Sequence, residues 1–435
     1  MYELNPPAVF AHESVMADSR CRARLERVLA ALAEPVEATV YADEELPGLI
    51  DGQKILADRV PMGTLDEIHD PILLFNTFRF DGRREERVEW LQDQGGNAGG
   101  HTGLSLLGYE PWAWFPANLP EDEHRHDKVC RPCWRLHFQN GCIHRCHYCA
   151  FGGLLITMTN VEEYVEHLAR LIEAHPWQET YLFEDDADVL CLEPELGAVP
   201  DLIEFFGTLE DRYLILHTKS ANVDWMLNLE HKGNTAIVWS IAGATQSTVL
   251  EPRTGTTEER IAAARKCQEA GYTVRYKFKP IIPVRNWREE ASETIRLIFE
   301  QTNPDVISLC CFMWMPVEDM RRRLDVSLLD PQHLAAAEEA TEEVKETRAK
   351  PFPEPVRAEI YEHHLSEVRK WDREVPVSLS TENWGMWKRL EGKLGTTATS
   401  YVCGCGPNSV PWRRKLECHP FETAEKCTVG KYELM

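Results

Sequence analysis

The chain has 435 residues, of which 43% are hydrophobic and 27% are charged, a composition typical of a globular protein with a large core. Its 71 acidic residues outnumber its 47 basic residues and give a formal net charge of −24. A field of this sign repels a phosphate backbone unless basic residues gather in one groove, so duplex DNA is a disfavoured partner. No apolar run approaches the roughly 18–20 residues that cross a bilayer, and we expect no membrane partner.

The 14 cysteines favour an intracellular metal protein over a secreted protein held by disulfides. The chain is long, begins without a basic and then apolar leader, and spaces several of its thiols as metal ligands are spaced. We therefore predict a cytoplasmic location.

Residues 1–105 predict a small N-terminal α/β region, with a helix over 19–33 and a strand over 36–41. The stretch 93–101 has too many glycines for a helix or strand, and it predicts a loop near a domain boundary. The pattern changes after this loop, and we assign residues 106–330 to the next domain.

Residues 106–330 alternate short apolar runs with amphipathic helices, which is the pattern of parallel strands joined by crossover helices. Capping boxes at Asn160 with Glu163 and at Thr256 with Glu259 mark two helix starts. The predicted strands cover 135–140, 180–184, 213–217, 235–240, 273–282 and 306–312. About six such strands predict an α/β fold built on a partial (β/α)6 barrel of the TIM type, with its chemistry at the C-terminal strand ends.

Residues 331–435 predict a C-terminal helical region that ends in a cysteine-containing unit. A charged helix over 333–347 precedes a stretch at 351–355 whose prolines cannot continue a helix. The last part of this region carries four further cysteines, and we expect it to hold metal.

Three cysteines, Cys142, Cys146 and Cys149, lie in one tight loop after the first predicted barrel strand. Their spacing lets three thiolates bind three irons of a four-iron, four-sulfur cluster, and one iron stays open because no fourth cysteine follows nearby. An open iron can chelate S-adenosylmethionine, and one electron from the cluster then releases a 5'-deoxyadenosyl radical. The sequence therefore predicts an enzyme with both cofactors and a reductant such as flavodoxin or ferredoxin.

Two alternative roles for this loop stay open. A structural zinc site could recruit His144 or His147 as a fourth ligand. A non-catalytic metal-binding protein could also keep the same barrel without performing chemistry.

Further segments accompany the cysteine loop, which has Tyr148 before its last cysteine. They are the stretch from His217 through Thr218 and Lys219 to Asp224, then Ser240, then Glu251-Pro252 with Thr254-Gly255-Thr256. Together, over about residues 130–315, these segments resemble the spore photoproduct lyase group of the radical S-adenosylmethionine superfamily. The resemblance implies that Lys219 and Ser240 bind S-adenosylmethionine, and Tyr148, the aromatic residue of the cysteine motif, is predicted to bind it as well. A lysine and a hydroxyl at successive strand ends also suit a carboxylate and a ribose.

The chain departs from this group where the group returns a hydrogen atom to its repaired thymine dimer. Ala150 stands at the position of the group's tyrosine, and an acidic run with Glu184 and Asp188 fills the region of its cysteine. The nearest thiol, Cys191, is either a displaced catalytic hydrogen donor or a buried packing residue. Glu184 and Asp188 either form a solvated turn or bind the substrate or the methionyl amine.

The net charge, the acidic strand end and these two departures predict a small-molecule or nucleotide-like substrate rather than damaged DNA. Repair of a thymine dimer is the alternative function. The bond that would be attacked does not follow from the barrel, because such barrels host many reactions.

A second iron–sulfur cluster is predicted in the C-terminal unit. Its predicted ligands are Cys403, Cys405, Cys418 and Cys427, and Cys130 or Cys133 could close the set. Glycine and proline beside these thiols form turns that can wrap a metal without strain. Zinc or unliganded buried thiols are the alternatives. Such a cluster could ligate the substrate, pass an electron or give up a sulfide.

Overall fold

The computed structural model describes residues 3–53, 70–95, 100–115, 128–149, 151 and 153–416. Its strands are β1 Val9–His12, β2 Thr39–Tyr41, β3 Ile72–Asn76, β4 Trp112–Phe115, β5 Cys133–Leu136, β6 Gln139–Gly141, β7 Leu154–Met158, β8 Thr180–Phe183, β9 Tyr213–Thr218, β10 Thr235–Ile241, β11 Thr273–Ile281, β12 Ile307–Cys311 and β13 Val377–Leu379. Its helices are α1 Glu13–Ala17, α2 Ser19–Ala30, α3 Leu46–Gly52, α4 Arg84–Asp93, α5 Gly100–Leu107, α6 Val161–Ala174, α7 Ala198–Gly207, α8 Thr257–Glu269, α9 Trp287–Gln301, α10 Val317–Arg323, α11 Pro331–Glu339, α12 Thr341–Val344, α13 Glu354–Trp371 and α14 Trp384–Leu394.

An eight-stranded sheet forms the centre of the molecule, with the order β13-β12-β11-β10-β9-β8-β5-β4. All neighbouring strands run parallel except β4, which is antiparallel to β5. Lys277 of β11 pairs with Ser240 of β10 and with Ser308 of β12, so the C-terminal ends of these strands meet at one edge. This edge is where an open parallel sheet places a binding site.

Five of the predicted strands are confirmed as β8 to β12, and their apolar runs are buried as expected for a covered parallel sheet. The capping box of Thr256 and Glu259 is also confirmed at the start of α8. The α/β class with parallel strands is therefore established, whereas closure into a barrel is not seen among the described residues and the partial barrel stays a prediction.

The first predicted strand, 135–140, was wrong as a single element. Its first half is β5 in the eight-stranded sheet, and its second half belongs to β6 in a separate sheet. The chain turns between them because the Glu184 carboxylate accepts a hydrogen bond of 2.6 Å from the Phe138 amide. Such a side chain to backbone bond competes with the ladder of a continuous strand.

The second sheet has five strands in the order β2-β1-β3-β7-β6, of which only β6 pairs in the antiparallel sense. It combines strands from residues 1–105 with β6 and β7, which flank the cysteine loop. The predicted helix over 19–33 is present as α2, and the predicted strand over 36–41 is present as the shorter β2.

The C-terminal region also joins the central sheet. Strand β13 pairs with β12 at the sheet edge, and the segment 403–409 packs against the strands. The Gly404 amide donates to Ser308 Oγ at 3.2 Å, and Arg275 donates to the Ser409 carbonyl at 2.6 Å. The five-stranded sheet thus crosses the boundary predicted at residue 105, and the eight-stranded sheet crosses the boundary predicted at residue 330. The predicted domain limits stay a proposal.

None of the helices in the described ranges combines the length and the apolar character that crossing a membrane requires.

Candidate active site

The loop with Cys142, Cys146 and Cys149 leaves β6 at the strand-end edge of the central sheet. It begins at Gly141, where φ is 103° and an added Cβ would overlap the Leu154 carbonyl, so the position requires glycine. Amides donate 3.4 Å hydrogen bonds to two of the sulfurs, from His144 to Cys142 and from Phe151 to Cys149.

All three thiols are free, and burial affects each of them. Burial raises the pKa of Cys149 to about 11, and the charge of Cys142 adds to that shift. Burial likewise raises the pKa of Cys146, to which the charges of Cys149 and Cys142 contribute. The three thiols thus influence one another electrostatically, and they would have to be deprotonated to bind a metal.

Backbone bonds fasten the loop to the turn that precedes α8. The Arg145 amide donates to the Pro252 carbonyl at 3.2 Å, and the His147 amide donates to the Leu250 carbonyl at 2.9 Å. The Arg145 guanidinium also forms an ion pair with the buried Asp70, so the loop is held from two sides.

Asp188 joins this loop to the end of β9. One carboxylate oxygen lies 3.1 Å from His144 Nε2 and also accepts the Lys219 amide at 2.7 Å, while the other accepts the Thr218 hydroxyl at 2.8 Å. Burial lowers the pKa of His144, but Cys142 and Asp188 raise it to about 9 overall. Asp188 was predicted to bind cofactor or substrate; because protein donors occupy both of its oxygens, the contacts give it a positioning role.

Lys219 follows β9 directly and belongs to a polar network beside the cysteines. Its ammonium donates to the Tyr148 hydroxyl at 2.8 Å and lies 3.4 Å from a Glu251 carboxylate oxygen, which also accepts the Tyr148 hydroxyl at 2.5 Å. Arg260 donates to the second Glu251 oxygen at 2.6 Å. Burial raises the pKa of Glu251, but Lys219 and Arg260 outweigh it and bring it down to about 2.

Ser240 lies near the end of β10, one strand along from Lys219. Its carbonyl accepts a 2.9 Å hydrogen bond from Arg260, which connects it to the same network. The structure thus brings Tyr148, Lys219 and Ser240 to one edge of the sheet, as the sequence predicted, around Glu251.

Glu184 and Cys191 lie on the other side of the cysteine loop. Glu184 is fully buried with a left-handed φ of 61°, and burial raises its pKa to about 8. The predicted solvated turn is therefore wrong for this residue. Cys191 is 3% exposed, and its thiol donates to Gln139 Oε1 at 3.9 Å. The effect of Cys191, together with burial, raises the pKa of Cys142 well above the ordinary value. Cys191 thus directly neighbours a cysteine of the loop.

Four other cysteines make up a second group of thiols, which we call the inner thiol group. They are Cys130, Cys133, Cys403 and Cys405. Arg131, between the first two cysteines, donates to the Tyr401 carbonyl and lies 4.2 Å from the centre of that ring. Burial, with added effects of Cys130 and Cys405, raises the pKa of Cys133 to about 12. Cys403 and Cys405 share a hydrogen bond. Two distant segments therefore bring four thiols together.

Basic side chains surround the inner thiol group. Lys277 Nζ lies 3.5 Å from Cys405 Sγ, and thiols raise the pKa of Lys277 despite its burial. Burial and Lys277 together lower the pKa of Lys279 to about 8. Arg135 interacts electrostatically with Cys133, Cys130 and Cys405. This environment favours an anionic occupant.

Cys418 and Cys427, which the sequence assigned to the second cluster, lie outside the described residues.

Glu251 and the inner lysines are the residues that sequence reasoning missed. The partners of Glu251 come from three separate segments, so its local sequence gave no sign of its role. A signal did exist in β11, because Arg275, Lys277 and Lys279 alternate with apolar residues and so share one face of a buried strand.

Comparisons with known proteins find a similarity to spore photoproduct lyase. The family model for spore photoproduct lyase matches residues 131–313. Spore photoproduct lyase of Clostridium acetobutylicum is 27% identical over 179 residues, which are 39% of this chain and 53% of the relative. That of Bacillus subtilis (strain 168) is 28% identical over 163 residues, which are 36% of this chain and 48% of the relative. The chain thus spans about half the length of these curated relatives.

Solved structures extend the likeness in fold. A spore photoproduct lyase complexed with dinucleoside spore photoproduct superimposes with a TM-score of 0.58 at 13% identity, covering 87% of this chain and 99% of that one. A variant with bound AdoMet and the same dinucleoside gives a TM-score of 0.56 at 13% identity and the same coverage. The sequence matches show that the chain is similar to spore photoproduct lyase over residues 131–313, and the solved structures show a similar fold.

Proposed function

We propose that the chain is a radical S-adenosylmethionine enzyme in which Cys142, Cys146 and Cys149 hold a four-iron, four-sulfur cluster. The observation that carries the proposal is the convergence of three free, interacting thiols on one fastened loop beside Lys219. When bound, such a cluster supplies the electron that splits S-adenosylmethionine and releases a 5'-deoxyadenosyl radical.

The residues present fit this cofactor. Three thiols leave one iron open, as the cleavage requires, and the two amide to sulfur hydrogen bonds stabilise thiolate charge. Asp188 and the backbone bonds to Leu250 and Pro252 keep the loop in place.

Lys219, Tyr148 and Ser240 are the proposed contacts to S-adenosylmethionine. The Lys219 ammonium suits the methionyl carboxylate, and the Ser240 hydroxyl suits the ribose. Glu251 and Tyr148 orient the ammonium, which lies in a buried position between them. The network therefore preorganises a cation where an anionic group is to be bound.

The substrate is proposed to be a small or nucleotide-like metabolite from which the radical abstracts hydrogen. The sequence departures at Ala150 and Asp185 support this choice over dimer repair. A specific observation supports the alternative, since the matched relatives include a lyase complexed with dinucleoside spore photoproduct. In either case Cys191 is the proposed donor of the hydrogen atom that returns to the product radical.

The inner thiol group is the proposed site of the second iron–sulfur cluster. Four thiols surrounded by Lys277, Lys279 and Arg135 offer a cluster both its ligands and a compensating charge. This proposal replaces Cys418 and Cys427 with Cys130 and Cys133 in the ligand set. A cluster at this site could ligate the substrate, transfer an electron or donate a sulfide. The proposed partner protein is an electron donor of the flavodoxin or ferredoxin kind.

The first experiment tests cleavage itself. Protein reconstituted anaerobically with iron and sulfide is mixed with dithionite and S-adenosylmethionine, and 5'-deoxyadenosine is quantified. Its formation supports the enzyme. Bound iron and sulfide without any 5'-deoxyadenosine would support a non-catalytic metal protein instead.

The second experiment tests the substrate class. The reconstituted enzyme is offered the dinucleoside spore photoproduct and, separately, a panel of nucleosides and nucleotides, and coupled product is measured by mass spectrometry. Turnover of a nucleotide without dimer repair supports the proposal. Efficient repair of the dimer would establish the alternative.

A further inference from the structure

A group of three potential metal ligands lies apart from all of the thiols. His101 of α5, Glu110 in the turn before β4 and His137 between β5 and β6 each place one donor atom within 4.8 Å of the others. The two imidazole rings meet edge to face with their centroids 4.1 Å apart. His101 Nδ1 and the Glu110 carboxylate are in direct hydrogen-bond contact.

Two donor atoms in this group are buried without a protein partner. His137 is only 7% exposed, and its Nδ1 has no hydrogen bond. His101 Nε2 is likewise buried and lacks one. A buried nitrogen without a partner has lost its hydration and gained nothing in exchange, which is unfavourable. Two such atoms in contacting rings indicate that something else binds there.

Carboxylates complete the surroundings. Glu184 has 0% exposure, and while one of its oxygens accepts the Phe138 amide, its Oε2 is buried without a partner. Asp186 Oδ2 lies 3.9 Å from His101 Nε2. Three carboxyl groups thus face two imidazoles, and their oxygens can serve a bound cation as ligands.

We propose that His101, Glu110 and His137 form a mononuclear site for a divalent transition-metal ion, with Glu184 beside it as a further oxygen donor. Two imidazole nitrogens and one carboxylate suit zinc, iron(II) or manganese(II) better than magnesium or calcium, which prefer all-oxygen sets. Three protein ligands leave a coordination position for water or an oxygen of a bound molecule.

The site is distinct from the cysteine loop but adjacent to it. The Gly141 amide, at the start of that loop, donates to the Asp186 carbonyl at 3.3 Å. His137 and Glu184 lie at the turn where the chain passes from the central sheet into β6. A metal ion here would therefore also hold this turn in place. The competing arrangement is a proton shared between His101 and Glu110.

The test uses the full chain with its iron–sulfur sites reconstituted, so that thiols are already occupied. The protein is dialysed anaerobically against zinc, passed over a desalting column, and analysed by mass spectrometry for zinc and by zinc-edge X-ray absorption. We expect about one zinc per chain, with nitrogen and oxygen neighbours at about 2.0–2.2 Å and no sulfur at about 2.3 Å. Absence of zinc, or zinc with sulfur neighbours only, would overturn the proposal.

Variants assign the ligands. His101→Ala and Glu110→Gln are each expected to weaken zinc binding at least tenfold. The matched control is His175→Ala, which removes a histidine of similar burial outside the group and should leave the zinc content unchanged. Glu110→Gln preserves size, so it remains informative if His101→Ala fails to fold. Unchanged zinc binding in Glu110→Gln, or an equal loss in His175→Ala, would contradict the assignment.

Discussion

The two thiol groups of this protein are assembled in different ways. Cys142, Cys146 and Cys149 come from one short loop, and the buried groups that fix its surroundings include the carboxylates of Asp188 and Glu251. The inner thiol group combines two segments that are joined by a hydrogen bond between residues 270 positions apart, and its neighbours are lysines and arginine. A local motif therefore builds the first site, whereas the topology of the central sheet builds the second.

The charged side chains around the two thiol groups differ, and this difference predicts that their clusters differ in how easily they are reduced. A cluster gains negative charge on reduction, so cations beside it stabilise the reduced form. Lys277 and Lys279 lie at the inner thiol group, whereas the cations at the cysteine loop are each paired with a carboxylate: Arg145 with Asp70, and Lys219 with Glu251. We therefore expect the inner cluster to be the more easily reduced of the two.

The largest effect is expected from Cys146→Ala. Removing one of three ligands should abolish the open-iron cluster and lower 5'-deoxyadenosine formation to the background of the reaction without enzyme. The measurement is 5'-deoxyadenosine by liquid chromatography after anaerobic reconstitution. Cys267→Ala is the control, because Cys267 is equally a buried thiol but lies on α8. Retained cleavage in Cys146→Ala would exclude this loop as the cluster site.

The next largest effect is expected from Cys405→Ala, which distinguishes the inner thiol group from the cysteine loop. Cys405→Ala should remove about four of about eight irons and abolish substrate turnover, while 5'-deoxyadenosine is still formed without coupling to product. Iron and sulfide analysis together with product quantification measures both parts. The same Cys267→Ala variant should keep all of its iron. If Cys405→Ala keeps its full iron content, the inner thiol group holds no cluster.

The sequence was sufficient wherever one segment carried the whole signal. The cysteine spacing predicted the cluster loop, and the family resemblance pointed to Lys219 and Ser240, which the structure places after β9 and near the end of β10. Five strands of the central sheet were placed to within about two residues, since a covered parallel strand is apolar on both faces.

The features that the sequence did not predict depend on contacts between distant segments. Residues 135–140 were predicted as one strand, but Glu184 breaks it by accepting a hydrogen bond from the Phe138 amide. For Glu184 and Asp188 the sequence left a solvated turn and a binding role open, and only the structure shows that both are buried. The pairing of Cys130 and Cys133 with Cys403 and Cys405 requires the sheet order, which local periodicity does not contain.

Glu251→Gln tests the network at the first site. Removing this charge leaves Lys219 and Arg260 facing each other in a buried site, so the free energy of unfolding should fall by roughly 3 kcal/mol. The binding of S-adenosylmethionine should weaken as well, because Lys219 loses its orientation. Urea unfolding and equilibrium dialysis measure the two effects. Glu293→Gln, in an exposed ion pair with Arg296, should change neither.

The pH dependence of that variant follows from the pKa of Glu251, which its cationic partners lower to about 2 from the ordinary value of 4.5 although burial opposes them. A lowered carboxyl pKa stabilises the folded state above the ordinary value, and this contribution is lost as the pH falls toward the lowered one. The stability difference between Glu251→Gln and the unsubstituted protein should therefore be constant near neutral pH and shrink below pH 4.5. A difference that grows in acid would contradict this assignment.

The smallest effect is expected at the inner thiol group, from Lys277→Met. The substitution keeps most of the side-chain length but removes a charge 3.5 Å from Cys405 Sγ. At an effective dielectric constant of about 20, loss of one nearby cation should make the midpoint potential of the inner cluster more negative, by on the order of 100 mV.

Redox titration followed by electron paramagnetic resonance measures this shift, and the Cys142, Cys146 and Cys149 triple alanine variant supplies a background in which only the inner cluster contributes a signal. Lys266→Met is the control, because Lys266 lies on α8 and pairs with the exposed Asp224. An unchanged midpoint potential in Lys277→Met would contradict the expectation that the charge of Lys277 stabilises the reduced form of the inner cluster. A more negative potential in Lys277→Met, with no change in Lys266→Met, would support the expectation. It would show that nearby cations make the inner cluster easier to reduce.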